Sequence, residues 1–315
     1  MGMIGFLTVL LAAFFFCFQN VIVRVLFNQQ TVLGLGQTGG FVTPSLSHSF
    51  LLMVMRMLLV VPLMAGLASQ LYPPTWQEIS RLRLPNQRSL AWQAIAGGGL
   101  MWLYLALLYV SIGLIPTGIA LTLFFTYPAF TTLLSWRLLG DRPTLLRWLV
   151  MLSVFTGSAL TMLPIGTASN NLIGVITGLL SGVAYALYTV IAQKSFTAMH
   201  PVPFTWLSFA ISLILSGLSF ALTSQQGEGL PWIPLWIGGL ASAIVTLIGH
   251  LLNNIGISLI GASSAAIVAA SNPALTVVLA WVTIQERLQG LQLLGVAIVT
   301  FSVALLSREH TQRPE

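Results

Sequence analysis

The sequence predicts an all-α integral membrane protein whose ten transmembrane helices form two inverted five-helix repeats. Three observations carry that prediction. The 315 residues are 57% hydrophobic and only 6% charged, with a mean hydropathy of +0.93, whereas a soluble domain carries about 25% charged residues. Cutting the chain at charged residues, Pro/Gly clusters and polar loops leaves ten apolar stretches. The two halves of the chain also repeat one another in sequence.

The ten expected spans are 4–27, 49–71, 90–113, 116–138, 145–163, 171–193, 205–223, 232–256, 262–284 and 290–307. The first is read as a membrane helix and not a secretory signal, because no basic residue precedes it and its apolar run of about 25 residues is too long for a signal's hydrophobic region. It holds Cys17, the single cysteine, which leaves no disulfide framework and no CxxC pair and is read as packing. An even number of spans puts both termini on one side. Placing them in the cytoplasm sets Arg81, Arg83, Arg88, Arg137, Arg142, Arg147, Lys194, Arg308 and Arg313 there, nine of the twelve basic residues. Arg24 and Arg287 then fall outside, and Arg56 lies within a span. The net charge of +6 is therefore read as membrane orientation, and no nucleic-acid partner is expected.

Residues 128–142 read PAFTTLLSWRLLGDR and residues 273–287 read PALTVVLAWVTIQER. A constant offset of 145 pairs Pro128 with Pro273, Thr131 with Thr276, Trp136 with Trp281, Asp141 with Glu286 and Arg142 with Arg287, without a gap. LLAAFFFCFQNVIVRVLF from Leu10 likewise matches LLSGVAYALYTVIAQKSF from Leu179 at an offset of 169. The 24-residue difference between the offsets is taken up by the loops near 28–48 and 72–89. Five spans per half is an odd number, so the second half enters the membrane upside down relative to the first. Such inverted repeats place a binding site near the midplane at the repeat interface and permit rocking between two access states. The expected units are 1–165, 170–307 and a cytoplasmic tail at 308–315.

The segments LYLALLYVSIGLIPTGIALTLFFTYPAFTTLLSWRLLGDR and ISLIGASSAAIVAASNPALTVVLAWVTIQER, with the Arg-containing SFLLMVMRMLL run, resemble the drug/metabolite transporter superfamily, EamA type, over nearly the whole chain. The resemblance implies a ten-helix carrier of small organic metabolites, often an exporter of amino acids or related compounds, in the inner (plasma) membrane. Members that exchange sugar phosphates use intramembrane Lys and Arg, but the only lysine here, Lys194, sits at a loop. The small four-helix multidrug relatives use a first-helix Glu, where this chain offers Gln19 and Asn20.

Polar groups inside a bilayer are candidate sites by default. Gln19 and Asn20 align through the repeat with Tyr188 and Thr189, and they either line a cavity or bond helix to helix. His250, Asn253 and Asn254, spaced i, i+3 and i+4, share one helix face. His250 titrates near neutral pH in its ordinary state and is a candidate for substrate binding or proton coupling. Arg56 either reaches carbonyl partners or water, or clamps a carboxylate. Tyr127-Pro128 and Asn272-Pro273 occupy equivalent positions, where proline frees a carbonyl one turn earlier and makes a hinge or cavity wall. Thr122 and Thr126 either satisfy the freed backbone or line the path with Phe125 and Tyr127. Tyr185 and Tyr188, i and i+3, are the best aromatic cavity candidates; Tyr104 and Tyr109 add further hydroxyl-bearing surface. Together with the amides, they suit a neutral, zwitterionic or aromatic solute.

Asp141 and Glu286 each precede a new helix and complement its N-terminus and a nearby Arg. Gly174, Gly178 and Gly182 make a small-residue stripe for close packing, with Gly5, Val9 and Ala13 as counterparts. An intramembrane enzyme is disfavoured by inventory, since the sequence has no HExxH, no GxSxG and no paired deep carboxylates. No cofactor or metal is expected. A channel or a non-transporting scaffold is the rival reading, separated from a carrier by saturable flux and counterflow. The expected partners are a small-molecule substrate and the lipid bilayer, with the chain as monomer or homodimer.

Overall fold

The computed structural model describes residues 2–32, 34, 36–43, 45–115, 117–162, 171–223, 229–284 and 290–312. They form α1 (Gly2–Phe27), α2 (Leu46–Leu71), α3 (Thr75–Arg81), α4 (Arg88–Leu114), α5 (Thr117–Phe124), α6 (Tyr127–Leu139), α7 (Leu145–Met162), α8 (Leu172–Ser195), α9 (Pro201–Thr223), α10 (Trp232–Ile260), α11 (Ala262–Ala269), α12 (Asn272–Ile284) and α13 (Gly290–Gln312). Glu286, Arg287, Arg313 and the expected boundary between the halves at 165–170 lie outside the described residues.

Among the described residues eight helical stretches are long and apolar enough to cross a membrane, with α5/α6 and α11/α12 each counted as one. Two more, Leu145–Leu160 and Gly290–Leu305, are apolar but shorter than the roughly 20 residues of a full crossing. The outward side chains are apolar as well: Leu222 is 87% and Ile233 77% exposed, an arrangement that suits lipid and not water. The chain is a multi-pass membrane protein.

Besides the short helix α3 within the expected 72–89 loop, two features depart from the expected helices. The loop after α1 contains a small antiparallel hairpin, β1 (Gln29–Thr31) with β2 (Gln37–Gly39), so the all-α expectation is corrected there. QQT and QTG are too short and too polar to show a strand period. The expected spans 116–138 and 262–284 are each broken in two, directly before Tyr127-Pro128 and Asn272-Pro273. Proline supplies no N–H to the preceding turn, so the half-helices α6 and α12 restart with proline at their second position.

Capping fixes the ends where loops are tight. The Ser45 hydroxyl accepts from His48 N–H at the start of α2, and the Asn171 side chain accepts from Gly174 N–H at the start of α8. Gly140 closes α6 at φ +79°, a left-handed conformation that glycine adopts at little cost.

The helices pair across the chain in a patterned way. α1 packs on α10 and α4 on α8; α1 packs on α12 and α8 on α6; α2 packs on α10 and α9 on α4. Under the sequence offsets of 169 and 145, the first two pairings are each the counterpart of their companion, and in the third α2 and α9 hold the second place in their respective halves. The match reaches single residues. A Cβ on Gly5 would collide with the side chains of Leu259 and Ile260, and one on Gly174 would meet Leu114 and Ile115. Val9 fills the space over Gly256, while at the matching place Ser111 stands over Gly178. The small-residue stripe on α8 is thus a close-packing surface.

Candidate functional site

A cluster of polar side chains gathers where α1, α2 and α10 meet. Arg56, halfway along α2, is only 5% exposed. With its amide oriented to satisfy both ends, Gln19 of α1 accepts from Arg56 Nη1 at 2.9 Å and donates to Ser242 Oγ at 2.8 Å and Thr246 Oγ1 at 3.0 Å, both on α10. Arg56 Nε and Nη2 are buried without a partner among the described residues.

His250 is buried between two rings, Phe16 of α1 at 4.9 Å and Phe209 of α9 at 5.7 Å, with Nδ1 unpartnered among the described residues. Its expected companions turn to other helices. Asn254 Nδ2 donates to the Tyr188 hydroxyl at 2.9 Å and to Thr205 Oγ1 at 2.8 Å. Asn253 Nδ2 donates to the Tyr185 hydroxyl at 3.4 Å. Tyr185 is the hub of an aromatic wall, with Tyr127 at 4.7 Å, Tyr104 at 4.9 Å and Tyr188 at 5.9 Å between ring centres. Amides from α10 and rings from α4, α6 and α8 therefore meet in one buried region.

Other sequence candidates are engaged in helix contacts. Asn20 Nδ2 donates to Asn272 Oδ1 at 2.8 Å and Thr276 Oγ1 at 3.0 Å, and Asn272 Nδ2 donates to the Ala13 carbonyl at 3.1 Å. This bonds α1 to the broken span α11/α12. The counterpart of Asn20, Thr189, bonds Thr131 at 3.3 Å, and Thr131 is the counterpart of Thr276. Thr126 Oγ1 donates to the Leu123 carbonyl at 2.6 Å, satisfying backbone at the break, and Thr122 is buried on α5. Asp141 pairs with Arg147 at 3.5 Å across the turn into α7.

Sequence reasoning missed Ser242 and Thr246, and the aromatic partners Phe16 and Phe209. The i, i+4 spacing of Ser242 and Thr246 on the face of His250 was the available signal.

A separate latch joins the two halves at the ends of α2 and α9. The Tyr72 hydroxyl donates to Glu78 Oε1 at 2.6 Å, and Glu78 Oε2 accepts from His200 N–H at 3.1 Å. The Tyr72 and His200 rings stack at 4.0 Å. The bond to Glu78 pushes the Tyr72 phenol up; partial burial pushes the His200 imidazole down, with the Glu78 charge opposing. An open recess of ≈ 420 Å³ lies elsewhere, beside the α5/α6 break, among Phe125, Trp148, Leu149, Leu152 and Phe155. Leu149 and Leu152 are mostly exposed, so this recess faces the lipid and offers little polar chemistry.

Over 311 residues the chain is 58% identical to an uncharacterized transporter of Synechocystis sp., covering 98% of this chain and 94% of that protein. Residues 172–308 match the model of the EamA-like transporter family. The chain belongs to the EamA-like transporter family. Among this transporter's more distant relatives, the threonine/homoserine exporter RhtA of Escherichia coli K12 is 28% identical over 229 residues, 70% of this chain and 71% of that one. The Salmonella typhimurium LT2 protein of the same name is 25% identical over 226 residues, 70% of this chain and 71% of that one. One solved crystal structure superposes with a TM-score of 0.71 at 16% identity, covering 99% of both chains, and shows a shared fold.

Proposed function

We propose that this EamA-like transporter is an alternating-access carrier that exports small organic metabolites, amino acids or related neutral and zwitterionic compounds among them. In this reading ten spans form two inverted five-helix repeats, 1–165 and 170–307, in the inner membrane with both termini cytoplasmic. The observation that carries it is the polar cluster of buried Arg56, Ser242 and Thr246 with half-buried Gln19, beside His250 and the tyrosine wall. Polar groups so deep in a bilayer protein mark solute pathways, and a site at the meeting of the halves is where inverted repeats place one.

The paired packing of α1 on α10 and α8 on α4 supports the inverted repeat. Pro128 and Pro273, at the two breaks, serve as hinges. The substrate lies among Gln19, Arg56, Tyr127, Tyr185, Tyr188, His250, Asn253 and Asn254. Asn20, Asn272, Thr122 and Thr126 hold the broken helices that flank it. The names of the Escherichia coli and Salmonella relatives make L-threonine and L-homoserine the first solutes to try.

The test is counterflow in proteoliposomes preloaded with L-threonine, L-homoserine or other amino acids. A carrier transiently accumulates labelled solute against the preload, with saturable kinetics. Linear flux accompanied by ion conductance supports a channel and overturns this reading.

A further inference from the structure

We infer that Arg56 recognises a free carboxylate on the transported solute through the paired N–H groups of Nε and Nη2. The inference rests on the carrier reading and deepens it. Nη1 is already bound to Gln19 at 2.9 Å. The two nitrogens left over, Nε and Nη2, have no partner among the described residues, and they share one edge of the planar guanidinium. That edge presents two parallel N–H bonds, the fork that accepts both oxygens of a carboxylate.

The charge balance points the same way. A guanidinium buried without a counter-ion is costly, yet neither of the two carboxylates whose side chains are described answers it. Glu78 is held by Tyr72 and His200, and Asp141 by Arg147. Gln19, Ser242 and Thr246 are neutral, and one amide oxygen satisfies one of the five N–H groups that arginine carries. A residue needed only for packing would be an aliphatic one here. An arginine kept charged, buried and half-bonded suits a ligand that brings the missing negative charge and leaves with it. The specificity expected is for the acid over its ester, amide or decarboxylated amine. A neutral compound lacking a carboxylate leaves the edge unsatisfied.

The experiment compares L-threonine, its methyl ester and 1-amino-2-propanol as counterflow substrates of the full chain, for wild type, Arg56→Gln and Arg56→Lys. Wild type is expected to prefer the acid by about 30-fold, on the scale of a charge-assisted bond pair. Arg56→Gln is expected to erase that preference, and Arg56→Lys, which keeps the charge but not the fork, to retain a minor part of it. Thermal unfolding is read alongside: Arg56→Gln removes an uncompensated buried charge and is expected to melt no lower than wild type, whereas a merely structural Arg56 would lower it. Exchange of the ester or amine as readily as the acid by wild type overturns this inference alone, as does an Arg56→Gln protein that keeps the preference. Folded wild type that exchanges none of the amino acids overturns the carrier reading and this inference with it.

Discussion

Gln19→Glu is expected to raise the thermal stability of the protein while lowering transport at least tenfold. The substitution keeps the shape of the side chain and places a carboxylate where the amide oxygen now accepts from Arg56 Nη1 at 2.9 Å. The Ser242 and Thr246 hydroxyls, now accepting from the amide, can rotate to donate instead. A cation already buried gains a permanent counter-ion, which recovers part of the cost of leaving it unpaired, about 2 kcal/mol. If Arg56 holds a solute carboxylate as proposed, the same change cancels the charge that attracts it, so stability and activity move in opposite directions. Melting in detergent and threonine counterflow check both halves of the prediction. A variant that is more stable and equally active would separate Arg56 from the substrate.

Gly182→Val is expected to destabilise the fold by about 3 kcal/mol, at the upper end of ordinary overpacking. Gly182 lies on α8 directly against the break between α5 and α6. A Cβ there would stand 2.8 Å from the Phe124 carbonyl oxygen and 3.2 Å from Thr126 Oγ1. Phe124 is four residues before Pro128, so its carbonyl is the one proline leaves without a helical partner. Backbone cannot swing aside as a long side chain can, and valine would push α8 off the break. Gly99→Val is the control, because a Cβ on Gly99 meets nothing within 4 Å. Fluorescence-detected melting of the two variants is expected to separate them clearly; equal melting temperatures would contradict the packing assigned to Gly182.

Much of this was legible in the chain because it depends on composition and spacing. The helices follow from long apolar runs, a hinge at each of Tyr127-Pro128 and Asn272-Pro273 from the prolines, though not a full break of either span, and the α8 contact stripe from Gly174, Gly178 and Gly182. The hairpin strands β1 and β2 and the short helix α3 were not, since three or seven residues carry too little period to outweigh a loop.

The candidate site was legible as an inventory but not as a set of partnerships. Gln19 and Asn20 are neighbours in sequence, yet one binds Arg56 and the other Asn272 and Thr276. A turn of about 100° separates consecutive helical residues, so adjacent amides face different helices, and only the packing decides which helix each meets. His250, Asn253 and Asn254 share a face as their spacing implies, but their partners come from α1, α8 and α9.

The central claim is that the Arg56 cluster opens in turn to each side of the membrane. It is tested most directly by cysteine accessibility in a Cys17→Ala background, with Thr246→Cys as the reporter beside Gln19. Thr246 is 2% exposed, so labelling requires the helices to move apart. Modification by a membrane-impermeant thiol reagent added to either face is expected, slowed from both by saturating substrate. Modification from one face only, whatever the substrate gradient, would contradict it.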